Sequence, residues 1–468
     1  MRRKSWGINP NMDEISFKLA QYISNARYED LTPAAVSSAK RSTLDTIGAM
    51  LAGSMAPGID IVVNLARSWG GAEEAHLVGF GYRLPAPLAA WCNGTMARAL
   101  EIDDCVDFLP VHPSASAVPA LLTLVELKRG LSGRDFLTAL AIGQDVKIRM
   151  GLAVRQNAMQ SGRNNMFKIF GPTAALARAM GFGPQETQNA LGISFSFAVG
   201  DGQCALDGAL TLRLQQGIVA QGALLSVLLS SKGFTGARDF LLGKFGYLRA
   251  FEPDPRLEYL TQDLGKTFYG EQITIKPFSA CRATHPAIEL AQRLRDEIQT
   301  NIQAIRRVTI WTCPEVHNLV GSPREAKIKP DSIPTAQFSI QFTVAAALIH
   351  GDLFLKELQP ESIKDNEILD LARRVYVEPD PSLRTNFVLG RTVMEIELEG
   401  QTPLKQEVDL PLGNPSRPME YEACAAKFMK SAHYAVHPLE KGRLEELIDM
   451  LSRLEDLPDV SILMSYLF

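Results

Sequence analysis

The feature that most constrains the fold is a change of texture at Pro253-Asp254-Pro255. Before this breaker cluster the chain reads as helix after helix, and after it short β-rich runs alternate with helices. Between Glu14 and Ala26, Ile15, Leu19, Tyr22 and Ile23 fall on one helical stripe. Thr32 is expected to cap the next helix ahead of Pro33, with Val36, Leu44, Ile47 and Leu51 on its buried side and Gly53 as its stop. Further helices are expected over residues 84–102, 114–128, 133–152, 171–180, 184–199 and 214–231. Their Ala, Gly and Ser content lets helix axes approach closely, which suits a compact bundle. Beyond residue 252 the pattern predicts strands at 273–275, 307–311, 374–377 and 392–398, and helices at 287–300, 338–350 and 361–373. Met394, Ile396 and Leu398 alternate with Val393, Glu395 and Glu397, the period of a half-buried strand. After Pro411-Leu412-Gly413-Asn414-Pro415 the chain returns to helices at 420–432 and 443–453, a tail expected to rejoin the helical part.

A chain of 468 residues exceeds the ~250–300 that one core supports, so two domains are expected. Charged residues at 21% and hydrophobic ones at 46% are ordinary for a soluble globular protein. A net charge of −4 with no Lys/Arg block gives no footprint for nucleic acid. The basic start Met1-Arg2-Arg3-Lys4-Ser5-Trp6 is followed by no apolar stretch, so no signal peptide is read there. No uninterrupted apolar run reaches the ~18–20 residues that span a bilayer, and no membrane partner is expected. The six cysteines lack C-x-x-C spacing, which argues against a disulfide framework or zinc site and for reduced thiols in the cytoplasm.

Two runs carry most of the potential chemistry. The first is Glu101-Ile102-Asp103-Asp104, followed by His112-Pro113-Ser114; the second is Lys276-Pro277-Phe278-Ser279-Ala280-Cys281-Arg282-Ala283-Thr284-His285. Together they supply carboxylates, two imidazoles, an ammonium and a guanidinium, the inventory for moving a proton beside a carboxylate. Asp103 and Asp104 are expected to end a long helix, where acids oppose the dipole; they are either solvated or put to use. His112 precedes a proline, and Ser114 reads as the N-cap of the following helix, which would put the imidazole near an anion-favouring helix start. The alternative is a structural histidine. Lys276, Arg282 and His285 form either a carboxylate clamp, with bidentate Arg282 and Lys276 as point charge, or an exposed basic loop. His76, His317, His350, His433 and His437 stand alone and read as structural or surface residues. Gly79-Phe80-Gly81 and Gly200-Asp201-Gly202 lack the strand–turn–helix setting of a dinucleotide fingerprint, and no phosphate-loop lysine, nucleophile elbow or metal-ligand spacing occurs.

The ordered set of motifs resembles the MmgE/PrpD family of 2-methylcitrate dehydratases, cis-aconitate decarboxylases and iminodisuccinate epimerases. The pieces are Leu31-Thr32-Pro33, Leu44-Asp45-Thr46-Ile47-Gly48, Asn93-Gly94, Asp103-Asp104, His112-Pro113-Ser114-Ala115, Ala190-Leu191-Gly192-Ile193, Gly233-Phe234-Thr235-Gly236, Lys276-Pro277-Phe278, Thr284-His285, Phe338-Ser339 and Pro411-Leu412-Gly413-Asn414-Pro415. The resemblance implies a mostly α fold: a large all-helical domain formed by both chain ends, with a smaller α+β lid domain inserted. It implies a helical domain at 1–265, a lid at 266–408 and returning helices at 409–468. It also implies a cleft where the two runs meet, a homodimer, and metal-free, cofactor-free chemistry on a small anionic carboxylate. Asp103, His112, Lys276 and His285 match the family's functional positions, and Asp104, Arg163, Lys168, Arg213 and Arg282 are taken as substrate-binding.

The departures from the pattern are as specific. Where D-D-T-H is usual the chain has Asp103-Asp104-Cys105-Val106. Where G-x-H-P-T is usual it has Ser161-Gly162-Arg163-Asn164-Asn165, with Gly162 at the histidine position. Where a T-K-x-x-H-x-G-like stretch is usual it has Thr211-Leu212-Arg213-Leu214-Gln215-Gln216-Gly217, so Leu212 replaces a lysine and Gln215 a histidine. Lys168, where a glycine is expected, together with Arg163 and Arg213, brings compensating positive charge. The first reading is a lyase, 2-methylcitrate dehydratase-like, with His112 or His285 as acid/base and Asp103 as orienting carboxylate or alternative base; His285→Ala should then fold normally and lose turnover. An epimerase or decarboxylase on the same scaffold is the alternative, and a catalytically silent metabolite-binding paralogue is the third.

Overall fold

The computed structural model describes residues 13–155, 162–163, 166–298, 302–385 and 389–468. The basic start at Met1–Trp6, together with Ser161, Asn164 and Asn165, lies outside the described residues. The chain divides into two compact units: unit 1 holds the residues up to Ala99, Val111–Glu271 and Ala425–Phe468, and unit 2 holds Leu100–Pro110 and Gln272–Cys424.

Unit 1 is built from α1 (Asp13–Asn25), α2 (Pro33–Gly53), α3 (Ile59–Ser68), α4 (Ala86–Ala97), α5 (Ser114–Leu127), α6 (Gly133–Ala153), α7 (Phe170–Met180), α8 (Pro184–Ser194) and α9 (Thr211–Ser231), joined by the C-terminal helix Lys441–Ser452. A small antiparallel pair, β1 (Ala75–His76) and β2 (Arg83–Leu84), lies between α3 and α4. Thr32 caps α2 as expected, its Oγ1 accepting from the Ala35 N–H at 3.0 Å. The small residues act as the composition suggests. α6 and α7 pack so closely that a Cβ on Gly171 would sit 2.8 Å from the Gly143 carbonyl oxygen, and one on Gly143 2.9 Å from that of Gly171. This close approach brings Lys147 of α6 beside the start of α7. By length and composition alone α9 is apolar enough to cross a membrane. Here it is mostly buried, packed on α4, α5, α7 and α8 within unit 1.

Two expectations change in this unit. The helix read over 84–102 stops at Ala97, so Asp103 and Asp104 do not end a helix and the argument from an opposed dipole lapses. Ser114 is the first residue inside α5 rather than its cap; its Oγ accepts from Gln144 Nε2 at 2.9 Å, a partner on α6 that local sequence does not reveal. α3 went unread because its start is set by Gly58 at φ +82°, with no side-chain cap to announce it.

Unit 2 centres on a four-stranded sheet ordered β6-β5-β7-β8, with β5 Ile305–Thr312, β6 Val375–Pro379, β7 Thr392–Leu398 and β8 Leu404–Val408. β5 pairs parallel with β6 and antiparallel with β7, and β8 completes a meander with β7. Met394, Ile396 and Leu398 are buried on β7 while Val393, Glu395 and Glu397 are half-buried, as the alternation predicts. α10 (His285–Glu297), α11 (Ile340–His350) and α12 (Asn366–Ala372) supply the other half of one apolar core with Val308, Ile310, Val375 and Phe342. A second pair, β3 (Cys105–Val106) and β4 (Ile273–Thr274), couples segment 100–110 to the stretch that leads into α10.

Candidate active site

The acidic and basic runs meet inside unit 2. Pairing of β3 with β4 lays Glu101–Asp107 alongside Lys276–His285, and four cross-connections hold them there. Lys276, 1% exposed, donates through Nζ to Glu101 Oε2 at 3.0 Å and to the Glu101 carbonyl at 3.1 Å. Glu101 takes φ +57°, a left-handed conformation that costs a non-glycine residue energy; with its carbonyl and one carboxylate oxygen on one ammonium, the ion pair opposes that cost. The Leu100 carbonyl accepts from Ser279 Oγ and Gln337 Nε2, each at 2.8 Å. Asp103 and Asp104 are both completely buried.

Arg282 is the hub of the second half of the cluster. Its Nε and Nη2 grip Asp107 at 2.8 and 3.0 Å in a bidentate fork. Its remaining donors reach the carbonyls of Leu412 at 2.8 Å and Pro411 at 3.3 Å, and His285 Nδ1 at 3.3 Å. All five guanidinium N–H groups therefore point at protein acceptors. Burial alone would raise the Asp107 carboxyl, but the Arg282 charge and hydrogen bonds, joined by Asn414 Nδ2 at 2.8 Å, hold it below its ordinary value. The Pro411–Pro415 motif thus has a physical task. Gly413, at φ +89°, lies where a Cβ would come 2.0 Å from the Ile275 carbonyl oxygen, and this close turn presents two carbonyls and an amide to Arg282 and Asp107.

His285 is 0% exposed, and its ring has little freedom. A guanidinium can only donate, so Nδ1 accepts from Arg282 and Nε2 carries the hydrogen donated to the Ala280 carbonyl at 3.1 Å. This geometry revises the expectation that His285→Ala folds normally. The variant leaves a cavity and strips two partners of a hydrogen bond, and a loss of about 2–4 kcal/mol is expected from urea unfolding. A midpoint equal to wild type would refute this.

A second cluster lies within unit 1. Lys147 Nζ on α6 donates to the His112 carbonyl at 2.6 Å, to Ser116 Oγ at 3.0 Å and to the Pro113 carbonyl at 3.4 Å, fixing the entry to α5 and the half-buried His112. Lys168 sits in the turn Met166–Ile169 ahead of α7 and is 3% exposed; its Nζ donates to Gln215 Oε1 at 2.9 Å. Gln215 Nε2 in turn lies 3.1 Å from the Asp201 carbonyl, 3.2 Å from Asp201 Oδ2 and 3.2 Å from Cys204 Sγ. Burial, and then the charges of Lys147 and Arg98, bring the Lys168 ammonium down to a pKa of about 7, against a weaker pull from Cys204 and Asp201.

The other sequence-selected cations have partners elsewhere in unit 1. Arg163 donates to the Phe251 carbonyl, lies 3.8 Å from Glu252 and stacks on the Phe251 ring, while Arg213 Nη1 reaches the Pro57 carbonyl at 3.0 Å. Gly162 takes φ +71°, a conformation that suits glycine at the position where the family pattern has histidine. His76 is structural, its Nδ1 2.5 Å from Glu126 Oε1 and its ring stacked on Phe468. Sequence reasoning passed over Glu101, Asp107, Asn414, Gln337, Lys147 and Arg98 as site residues. One signal was available: Lys276 and Arg282 sit among small apolar residues and need acids if buried, and segment 100–110 is rich in them. Among the described residues no group of three or more His, Cys, Asp or Glu side chains could hold a metal ion.

The model of the MmgE/PrpD N-terminal domain matches residues 17–260, and that of the MmgE/PrpD C-terminal domain matches residues 278–453. The chain belongs to the MmgE/PrpD family. Its relatives include a cis-aconitate decarboxylase-like protein, oryM, from Aspergillus oryzae, 24% identical over 96% of each chain. The cis-aconitate decarboxylase of Mus musculus is 25% identical over 97% of this chain and 93% of its own, and that of Homo sapiens 24% identical over 97% and 95%. The likeness is thus end to end, and it is to enzymes of the lyase kind. Family membership also gives the Leu212 and Gln215 departures a location: both lie in the first turns of α9, and Gln215 is the residue that holds Lys168.

Proposed function

We propose that this chain is a lyase that removes carbon dioxide from a small tricarboxylate of the cis-aconitate kind, delivering a proton to the carbon left behind. The observation that carries this reading is the end-to-end likeness to cis-aconitate decarboxylases. The site chemistry supports it over dehydration. Dehydration requires both a base at carbon and an acid for the departing hydroxyl, whereas decarboxylation requires stabilisation of a carbanion and one proton donor. In this chain Arg282 and His285 spend their polar atoms on the protein frame, which thins the supply of proton carriers. In the reaction the bond to the departing carboxylate breaks, its electron pair stays on carbon and spreads into the adjoining carboxylate, and an acidic N–H closes the cycle.

His112, Asp103, Lys276 and His285 are the family positions to be tested for binding and orienting the substrate. The experiment is proton NMR in deuterated water with cis-aconitate, 2-methylcitrate, citrate and iminodisuccinate, each against heat-killed protein. Loss of carbon dioxide from cis-aconitate with deuterium in the product is expected. His112→Ala should lower that turnover by about 100-fold, the scale on which a misplaced substrate loses rate. New vinyl signals from 2-methylcitrate alone would instead make the chain a dehydratase, and deuterium exchange without net product an epimerase. Ligand-induced thermal shifts with no turnover of any compound would indicate a silent paralogue.

A further inference from the structure

We propose that Lys168 is the proton-carrying amine of unit 1, alternating between ammonium and free base as ligand comes and goes, rather than a fixed cation for a substrate carboxylate. This rests on the lyase reading above and assigns a role that the family pattern, which has glycine at this position, does not contain.

The geometry separates Lys168 from its neighbour Lys147. Lys147 faces three oxygen acceptors within 3.4 Å, the His112 and Pro113 carbonyls and Ser116 Oγ. Lys168 is just as deeply buried, yet among the described residues its Nζ has one hydrogen-bond partner, the neutral amide oxygen of Gln215. The orientation of that amide is fixed from the other side. Gln215 Nε2 faces a carbonyl, a carboxylate oxygen and a sulfur, so the amide nitrogen must lie there and Oε1 must face the amine. The charged groups around Lys168 come from every side: Lys147 on α6, Arg98 just after α4, and Asp201 with the Cys204 thiol from the 201–204 segment. Burial is the main bias toward the free amine, and two cations against one acid add to it, in line with its depressed pKa.

An amine so placed answers to the charge of its ligand. A bound carboxylate supplies the missing acceptor and draws Lys168 into the ammonium form. When that carboxylate leaves as carbon dioxide, its electron pair and negative charge stay on the carbon beside the ammonium. One N–H bond breaks, the proton joins the carbon that holds the electron pair, and the free amine recovers its proton from solvent. The lone Gln215 contact keeps the nitrogen aimed without fixing its protonation state, which a carboxylate partner would do.

The test uses the full chain carrying lysine labelled with carbon-13 at Cε, with the Lys168 signal assigned by its absence in Lys168→Arg. The expected midpoint lies near neutral pH without ligand and moves upward when citrate is added. Lys168→Arg, which keeps the charge but cannot release it, should retain a citrate-induced thermal shift and lose roughly 100-fold or more of turnover. If the arginine does not fold, Lys168→Gln, which carries no proton to give, should show the same loss of turnover. A free-enzyme midpoint above pH 9, or Lys168→Arg turnover within twofold of wild type, would overturn the proposal. If wild type turns over no polycarboxylate, the lyase reading fails on its own and the titration midpoint with its response to citrate decides the role of Lys168.

Discussion

Arg282→Met is expected to unfold at a much lower urea concentration than wild type, losing about 3–5 kcal/mol. The side chain is 7% exposed and Asp107 4%, so the methionine fills space but abandons a buried carboxylate. Asn414 is then the amide left to Asp107 from its present set, the Leu412 and Pro411 carbonyls lose their donor, and His285 Nδ1 loses the N–H that fixes its tautomer. The sign of the pH dependence follows from the same geometry. Asp107 has a folded pKa below its unfolded value, so its contribution is present in full above about pH 4 and is lost as pH falls through the folded value. The gap between variant and wild type should therefore be widest near neutrality and shrink in acid. A loss under 1 kcal/mol at pH 7 would mean that the cluster does not hold segment 100–110 in place.

Lys168→Met should change stability in a pH-dependent way that no ordinary core substitution shows. The wild-type amine has a pKa of about 7 in the folded chain against 10.5 for an ordinary lysine. The unfolded chain therefore binds more protons between these values, and wild-type stability rises with pH across that window. The difference, 10.5 − 7, bounds the burden of burying the ammonium at roughly 5 kcal/mol below pH 7. Methionine removes this burden and leaves the Gln215 oxygen short of a donor, a cost of about 1–3 kcal/mol that does not vary with pH. The variant should gain on wild type at pH 6 and lose that advantage by pH 10. Urea midpoints at the two pH values measure it, and a difference that stays constant between them would show that Lys168 does not titrate there.

Much of the architecture was legible because it is written in local periodicity. The stripe of α1, the Thr32-Pro33 start of α2 and the alternation on β7 each follow from neighbours a few residues apart. β8 was missed because Leu404–Val408 is short and has one buried residue, so its pairing with β7 and not its own pattern makes it a strand. The helix read through to residue 102 failed for a related reason. Nothing local to Arg98–Asp104 forbids a helix, but β3 must reach β4, and Glu101 turns left-handed to face Lys276.

By itself the sequence determined the family, the helical majority, the change to a mixed α+β region and the two charged runs, since these depend on residue identity and spacing. Tertiary structure alone decided which partners each charge has. It made Arg282 the centre of a buried hydrogen-bond network, supplied Glu101, Asp107 and Asn414 as partners, and set Lys168 apart from Lys147. The physical reason is that protonation and hydrogen-bonding capacity depend on burial and on charges a few ångströms away, and those neighbours lie 47 to 307 residues apart along the chain.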